Sequence, residues 1–294
     1  MIPSIAISVL SLFQPASVTL QAAPGASLAV DSREVSRLTF TVQDREIAVR
    51  SARPITIAIA GKISRAYPSP LRLRTQAGVV QVLVNVPIET AVAWAVAAES
   101  APAARSEALK AMAVVARSWY TAARGRHTDF DFCDTTHCQF LGPAKASAAS
   151  VASTRGSVLL FDGNPVEAMH SADCGGQTKS LAAVGLTVNS YPFYQVQCDS
   201  SSAAWSRTLT PSEANALKAA PHSENARLRI CRRGGWDRVP SNQYTLDGLT
   251  LTGHGRGHGV GLCQQGAAKM AAAGKDYLAI LRHYFPNTAI GTAP

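Results

Sequence analysis

The sequence contains no window of about 18 or more uninterrupted apolar residues, the length a helix needs to cross a bilayer, so no internal membrane span is expected. It is short of charge. Only 16% of its 294 residues are charged against 47% hydrophobic, a balance that excludes a disordered chain. Acidic residues are the scarcer sign, 19 against 28 basic, and the resulting net charge of +9 suits an acidic polymer. No nucleic-acid recognition motif accompanies that charge, so nucleic acid is not the expected partner. No internal repeat is evident. The opening Met1-Ile2-Pro3 lacks the Lys or Arg with which a secretory leader begins. The apolar stretch from Ile2 to Phe13, with the small pair Ala22-Ala23 beyond it, therefore reads either as an export leader or as a buried first strand.

At this length one or two domains are expected. From about Ser27 to Pro87 the chain reads as strands. Leu38 to Val42, Ile55 to Ala60 and Val79 to Val84 are β-branched runs separated by polar or Gly/Pro stretches. Helical pattern follows. Glu89 to Ala98 is Ala-rich and apolar nearly all round, which predicts a buried helix. Pro102 interrupts it, Ser106 before Glu107 reads as a new N-cap, and Gly125 as a stop. Between them Leu109, Met112, Ala113, Ala116, Trp119, Tyr120 and Ala123 recur at helical spacing. Short strands are predicted at Ser157 to Phe161 and Val166 to His170, and a terminal helical segment from Leu262 to about Tyr284. The class is α+β: residues 1–25 as leader or first strand, 26–86 as a β-rich lobe, and 87–290 as a domain of mixed helix and strand.

The strongest local signal is the run from His127 through Cys133, His137 and Cys138 to Gln139. Two thiolates and two imidazoles make a complete tetrahedral zinc set, and four protein ligands imply a closed, structural site. The spacing matches no common zinc finger, and a Cys133–Cys138 disulfide beside two unrelated histidines is the alternative. The other cysteines, Cys174, Cys198, Cys231 and Cys263, are expected to form two bridges in an oxidising compartment.

Four blocks resemble the SpoIID/LytB family, in family order. Glu99 is followed by EALKAMAVVARSWY at 107–120, similar to the family's EALKAQAV run. CDTTHCQ stands at 133–139, AMHSADCGGQT at 168–178, and GRGHGVGLCQQGA at 255–267, similar to the family's GxGHGVGxSQxGA. Three departures stand out: Ser100-Ala101-Pro102 replaces Met-Pro after the glutamate, Met112 replaces Gln, and Cys263 replaces Ser. The resemblance implies a lytic transglycosylase acting on peptidoglycan strands stripped of their stem peptides, with Glu99 as the catalytic group. It also implies structural Zn2+ on His127, Cys133, His137 and Cys138. Some family members are instead described as non-catalytic proteins that enhance a cell-wall amidase, which makes an amidase the alternative partner. A zinc-stabilised binding module without a wall role leaves the glycine-rich block unexplained.

The chemistry tolerates a single carboxylate. Glycosidic cleavage needs a proton on the leaving oxygen while positive charge builds at the anomeric carbon. In a lytic enzyme the muramic acid C6 hydroxyl attacks C1, so one Glu serves first as acid and then as base. Glu107 is the rival acid, but a carboxylate just after a helix start complements the dipole. Lys110 and Arg117 read either as contacts to glycan carboxylates or as solvated charges. Gln139, His170 and Ser171 are candidate cleft contacts, and Tyr191 a stacking or hydrogen-bonding neighbour. Gly253 to Gly261 invites a nucleotide-binding reading, but only 33 residues follow Gly261, too few for the βαβ unit a dinucleotide fingerprint requires. Closely spaced glycines instead let the backbone approach either another strand or a sugar chain, with Arg256 and His258 lining that groove and His254 either beside them or at the surface. The expected location is outside the cytoplasm, in periplasm or wall.

Overall fold

The computed structural model describes residues 4–100, 104–142, 148–188, 190–200 and 203–292. Helices and several sheets are mixed along it, the α+β class expected. The chain divides into two compact units, each made of two segments: Met1–Glu99 with Ala123–Ala148, and Ser100–Ala122 with Ala149–Pro294. The boundary expected near residue 87 thus falls inside the first unit.

That unit opens with ten strands: β1 (Ser4–Val9), β2 (Ser17–Gln21), β3 (Leu28–Val30), β4 (Arg33–Val35), β5 (Arg37–Thr41), β6 (Ile47–Arg50), β7 (Ile55–Ile59), β8 (Ile63–Tyr67), β9 (Leu71–Gln76) and β10 (Val79–Pro87). Helix α1 (Ile88–Glu99) and strand β11 (Phe132–Cys133) complete it. One sheet runs β11-β1-β10-β9-β6-β3-β4 and a second runs β5-β2-β7-β8. Period-2 patterning sets the faces: in β9 Leu71 and Leu73 are buried and Arg72 points outward, and in β7 Ile55, Ile57 and Ile59 are buried. Residues 4–9 form a strand between two neighbours, antiparallel to β10 with Ile7 opposite Val84, and parallel to β11 with Ser8 opposite Cys133. This return of residues 123–148 to β1 is why the unit is discontinuous. In α1, Ile88, Ala91, Val92, Trp94, Ala95 and Val96 are buried, and Trp94 meets Tyr67 edge-on at 6.0 Å.

The second unit contains α2 (Ser106–Ala122), α3 (Ala148–Ser153, from the junction onward), α4 (Pro211–Ala219), α5 (Glu224–Gly234), α6 (Gln264–Ala272) and α7 (Tyr277–Tyr284). Its strands are β12 (Ser157–Phe161), β13 (Asn164–Pro165), β14 (His170–Ser171), β15 (Trp205–Thr208), β16 (Tyr244–Asp247), β17 (Thr250–Gly253), β18 (Leu262–Cys263) and β19 (Ala289–Thr292). They pair as β13-β12-β19, β14-β18 and β15-β17-β16. From Ala111 to Tyr120 every residue of α2 is buried, because β12, α6 and α7 pack around it. Ser118 hooks it to β12: its hydroxyl donates to the Val114 carbonyl at 2.6 Å and accepts from the Leu159 N–H at 2.8 Å. A separate apolar cluster, including Leu209, Leu217, Ile230, Val239 and Leu251, joins α4 and α5 to the β15–β17 sheet.

Three local expectations change. Ser106 is the first helical residue and not the cap. The strand expected at Val166 to His170 is broken, because the Ala168 N–H turns back onto the Val166 carbonyl at 2.7 Å and ends the pairing. The terminal helix is two helices. Gly274 takes the left-handed conformation (φ 79°), and Asp276 starts α7 by accepting from the Ala279 N–H at 2.7 Å.

Candidate functional site

In the first unit Glu99 is the last residue of α1, half-buried, at the negative end of that helix. Ala101 and Pro102, part of the departure from the family pattern, lie outside the described residues.

The thiol and imidazole side chains converge. The ligand atoms of His127, Cys133, His137 and Cys138 all lie within 4.8 Å of one another. His127 Nε2 is 3.4 Å from Cys138 Sγ, and His137 Nδ1 is 3.6 Å from Cys138 Sγ and 3.9 Å from Cys133 Sγ. Three local features build the cluster. Strand β11 fixes Cys133 against β1, and the turn from Thr135 brings the Cys138 N–H onto the Thr135 carbonyl at 3.0 Å. Asp134, between them, accepts from the Leu10 and Ser11 N–H groups at 2.6 and 3.0 Å. Burial raises the Asp134 pKa to about 6 even so. The two thiols are unequal: hydrogen bonding with Cys138 holds the Cys133 thiol well below its ordinary range, while Cys138 is pushed up. Both cysteines are free thiols, so the disulfide alternative is not the observed state. Nearby, Gln139 is 5% exposed, and neither its amide oxygen nor its nitrogen has a hydrogen-bond partner among the described residues.

In the second unit the third and fourth blocks form one structure. β14 pairs in parallel with β18, setting His170 opposite Leu262 and Ser171 opposite Cys263. Asp173 and Arg256 exchange backbone hydrogen bonds at 3.0 and 2.8 Å. The glycines permit this contact. A Cβ on Gly255 would stand 2.6 Å from the Asp173 carbonyl oxygen, and one on Gly261 2.2 Å from that of Met169. Close approach of another strand, one of the two readings of this run, is therefore what the glycines serve. Ser171 is buried, and its hydroxyl has no partner among the described residues. His258 accepts from the Val260 N–H at Nδ1 (3.0 Å) and shares a backbone hydrogen bond with His170.

Behind this loop lies a charged network with no counterpart in the motif reading. Glu224 receives two hydrogen bonds from Arg227, at 2.7 and 2.8 Å, and one from the Asn242 amide at 2.6 Å. All three residues are buried. Burial works to raise the Glu224 pKa, but the hydrogen bonds and charge of Arg227 outweigh it and hold the carboxyl below its ordinary range. The i,i+3 spacing of Glu224 and Arg227 was visible in sequence; their burial was not.

Burial drives the His258 pKa down to about 4, against the pull of Glu224 and with the nearby His170 and Arg227 charges assisting. A depressed histidine favours the neutral fold. Its contribution to stability is complete above the ordinary value of about 6.5 and is lost as pH falls through about 4. Urea unfolding midpoints are expected to drop between about pH 7 and about pH 5 in the wild type, and less in His258→Asn, which retains an acceptor for Val260.

The remaining expected contacts are placed differently. Arg117 is neither at a glycan nor solvated. It is fully buried in α2 and donates to the carbonyls of Ser157 (3.0 Å), Ala113 and Val151 (3.4 Å each). Lys110 is held by Glu107 at 2.6 Å, and Glu107 also accepts from the Tyr277 N–H at 2.9 Å, tethering α2 to α7. Lys110, followed by the Tyr277 N–H, lowers the Glu107 pKa, as befits a structural carboxylate. Tyr191 is a core residue: its hydroxyl donates to the Pro286 carbonyl at 2.7 Å, and its ring packs with Phe161, Phe193 and Phe285. The Arg256 guanidinium is exposed and pairs with Asp237 at 2.9 Å. His254 is at the surface. The two expected disulfides are not formed: Cys174, Cys198, Cys231 and Cys263 are free thiols.

Residues 76–161 match the family model SpoIID, described as stage II sporulation protein. The stretch spans β10, α1, α2 and the thiol–imidazole cluster. The chain is similar to the SpoIID/LytB family over this stretch. It is 24% identical to stage II sporulation protein D of Bacillus subtilis, covering 76% of this chain and 80% of that one. It is 29% identical to an uncharacterized protein of Brachyspira hyodysenteriae over 65% of this chain, and spans 63% of that relative's length. A segment of 41 residues, 14% of this chain and 6% of the relative, is 46% identical to the amidase enhancer of Bacillus subtilis.

Proposed function

We propose that this protein is a lytic transglycosylase of the bacterial cell wall, cleaving denuded glycan strands between MurNAc and GlcNAc. The observation that carries this reading is Glu99, half-buried at the end of α1 inside the segment matched by the family model. Its carboxylic acid protonates the glycosidic oxygen as the bond to the anomeric carbon breaks. The resulting carboxylate then takes the proton from the MurNAc C6 hydroxyl as that oxygen bonds to C1, leaving a 1,6-anhydro end. No water is consumed, and the proton count closes. Gln139, in the same unit as Glu99 and buried with an unpartnered amide, supplies hydrogen-bonding groups suited to a sugar. Removal of stem peptides exposes a lactyl carboxylate on each MurNAc, so the net charge of +9 draws the protein to its substrate, more weakly as salt rises.

The donor set of His127, Cys133, His137 and Cys138 fits Zn2+: soft and borderline ligands, four in number, mutually close. A metal held by four side chains has no open position, so its contribution is to fix β11 and the loop after it. Among the described residues no helix is long and apolar enough to cross a membrane. The reading places the protein outside the cytoplasm.

The 41-residue match to an amidase enhancer favours a second reading, a wall-binding protein that stimulates an amidase without cutting glycan itself. Incubation with peptide-free glycan strands and mass analysis separates the two. Wild type is expected to release anhydro-ended fragments and Glu99→Gln to be slower by about 10²–10⁴-fold while still binding. Intact glycan after incubation with wild type, together with retained binding and a faster amidase, establishes the second reading.

A further inference from the structure

Three of the four cysteines expected in disulfides meet in the second unit, brought from distant points of the chain. Cys174 follows β14, Cys198 precedes β15, and Cys263 ends β18 and caps α6. Their sulfurs lie within 4.8 Å of one another, and all three residues are at most 9% exposed. Cys231 stands apart, in the apolar cluster under α5 with its thiol toward the Val239 carbonyl. Two bridges from this set are therefore excluded: a trio remains, and one disulfide would strand a buried thiol.

The geometry points to a second metal site, formed by Cys174, Cys198 and Cys263 and selective for a thiophilic cation such as Zn2+. Zinc at about 2.3 Å from each thiolate places sulfurs about 3.8 Å apart, whereas a disulfide requires about 2.05 Å. Thiolate donors select zinc over magnesium or calcium. Each sulfur also has an outer hydrogen-bonding partner, as metal-bound thiolates need. Cys263 Sγ accepts from the N–H groups of Cys174 (3.3 Å) and Gly266 (3.4 Å). Cys174 Sγ lies 3.2 Å from the Ser200 hydroxyl, and Cys198 Sγ 3.1 Å from the Tyr284 hydroxyl. Those two hydroxyls are the nearest recorded oxygen donors for a fourth position. Gly266 keeps the space clear, since a Cβ there would stand 2.4 Å from Cys198 Sγ.

The site differs from the His127/Cys133/His137/Cys138 cluster in residues and unit, and it is independent of glycan cleavage. On binding, the thiols release their protons to solvent as the zinc bonds form, with no redox change. The test is the zinc content of the full chain, loaded in reducing buffer and freed of loosely held ion. Cys263→Ser is the mild variant, because serine is a good N-cap and retains the helix start. It is expected to carry one zinc fewer per chain than wild type. Cys133→Ser, which removes only the first cluster, is expected to keep the zinc that Cys263→Ser loses. Thiolate-to-metal charge transfer in the cobalt-substituted Cys133→Ser protein provides a second readout. Equal zinc in Cys263→Ser and wild type would overturn the assignment, as would a disulfide joining two of the three cysteines in zinc-loaded protein. Failure of the first cluster alone reads differently: wild type then carries a single zinc, and Cys263→Ser none.

Discussion

Glu224→Ala is expected to destabilise the second unit by about 3–5 kcal/mol, because it leaves the Arg227 guanidinium buried without a counter-charge. Arg227 is 6% exposed, and its other recorded acceptors are the Val239 and Pro240 carbonyls at 3.3 and 3.5 Å. The Asn242 amide loses its 2.6 Å acceptor at the same time. At roughly 2–4 °C per kcal/mol, the melting transition is expected to fall by about 10 °C. The double variant Glu224→Leu with Arg227→Met is the decisive comparison. If the penalty comes from an uncompensated charge, replacing both partners by apolar residues restores most of the loss. Equal melting temperatures for the single and double variants would show that shape, and not charge, is what the pair supplies.

Gly261→Ala is expected to cost about 2–4 kcal/mol. Two effects add. Gly261 has φ 74°, where an L-residue is strained by roughly 1–2 kcal/mol. The new Cβ would also stand 2.2 Å from the Met169 carbonyl oxygen and 2.8 Å from its carbon, both backbone atoms that a rotamer change cannot move. The strand pair carrying His170 and Ser171 must separate to admit it. Gly274→Ala isolates the first effect, because that residue has φ 79° and open space around its missing Cβ. Urea denaturation of both variants should therefore show the larger loss at Gly261. Equal losses would mean that backbone conformation alone demands glycine there.

What was legible in the sequence followed from how local each signal is. β-Branched runs gave β5, β7, β10 and β12 within a residue or a few, because period-2 burial is written into consecutive side chains. The weaker β9 alternation of Leu and Arg passed unread, since its polar half is as strong as its apolar half. The thiol–imidazole cluster was legible because its four residues fall within twelve positions. The Cys174, Cys198 and Cys263 trio was not: its members are separated by 24 and 65 residues, and only the fold brings them together. Arg117 misled for a related reason. A cation on a helix is ordinarily solvated, and nothing nearby in sequence announces that three carbonyls from the helix, α3 and β12 will satisfy it.

The position of β1 has a consequence for the order in which the molecule forms. A chain emerging N-terminus first presents Ser4–Val9 long before either neighbour exists: β10 follows some seventy residues later, and β11 only at Phe132–Cys133. Until then an apolar strand waits with both edges open, the condition under which strands pair with the wrong partner. Closure comes with the segment that carries Cys133, and Asp134 then reaches back to the N–H groups of Leu10 and Ser11. Strand β1 is thus locked by the loop that follows β11, and a metal captured there would act as its last fastening.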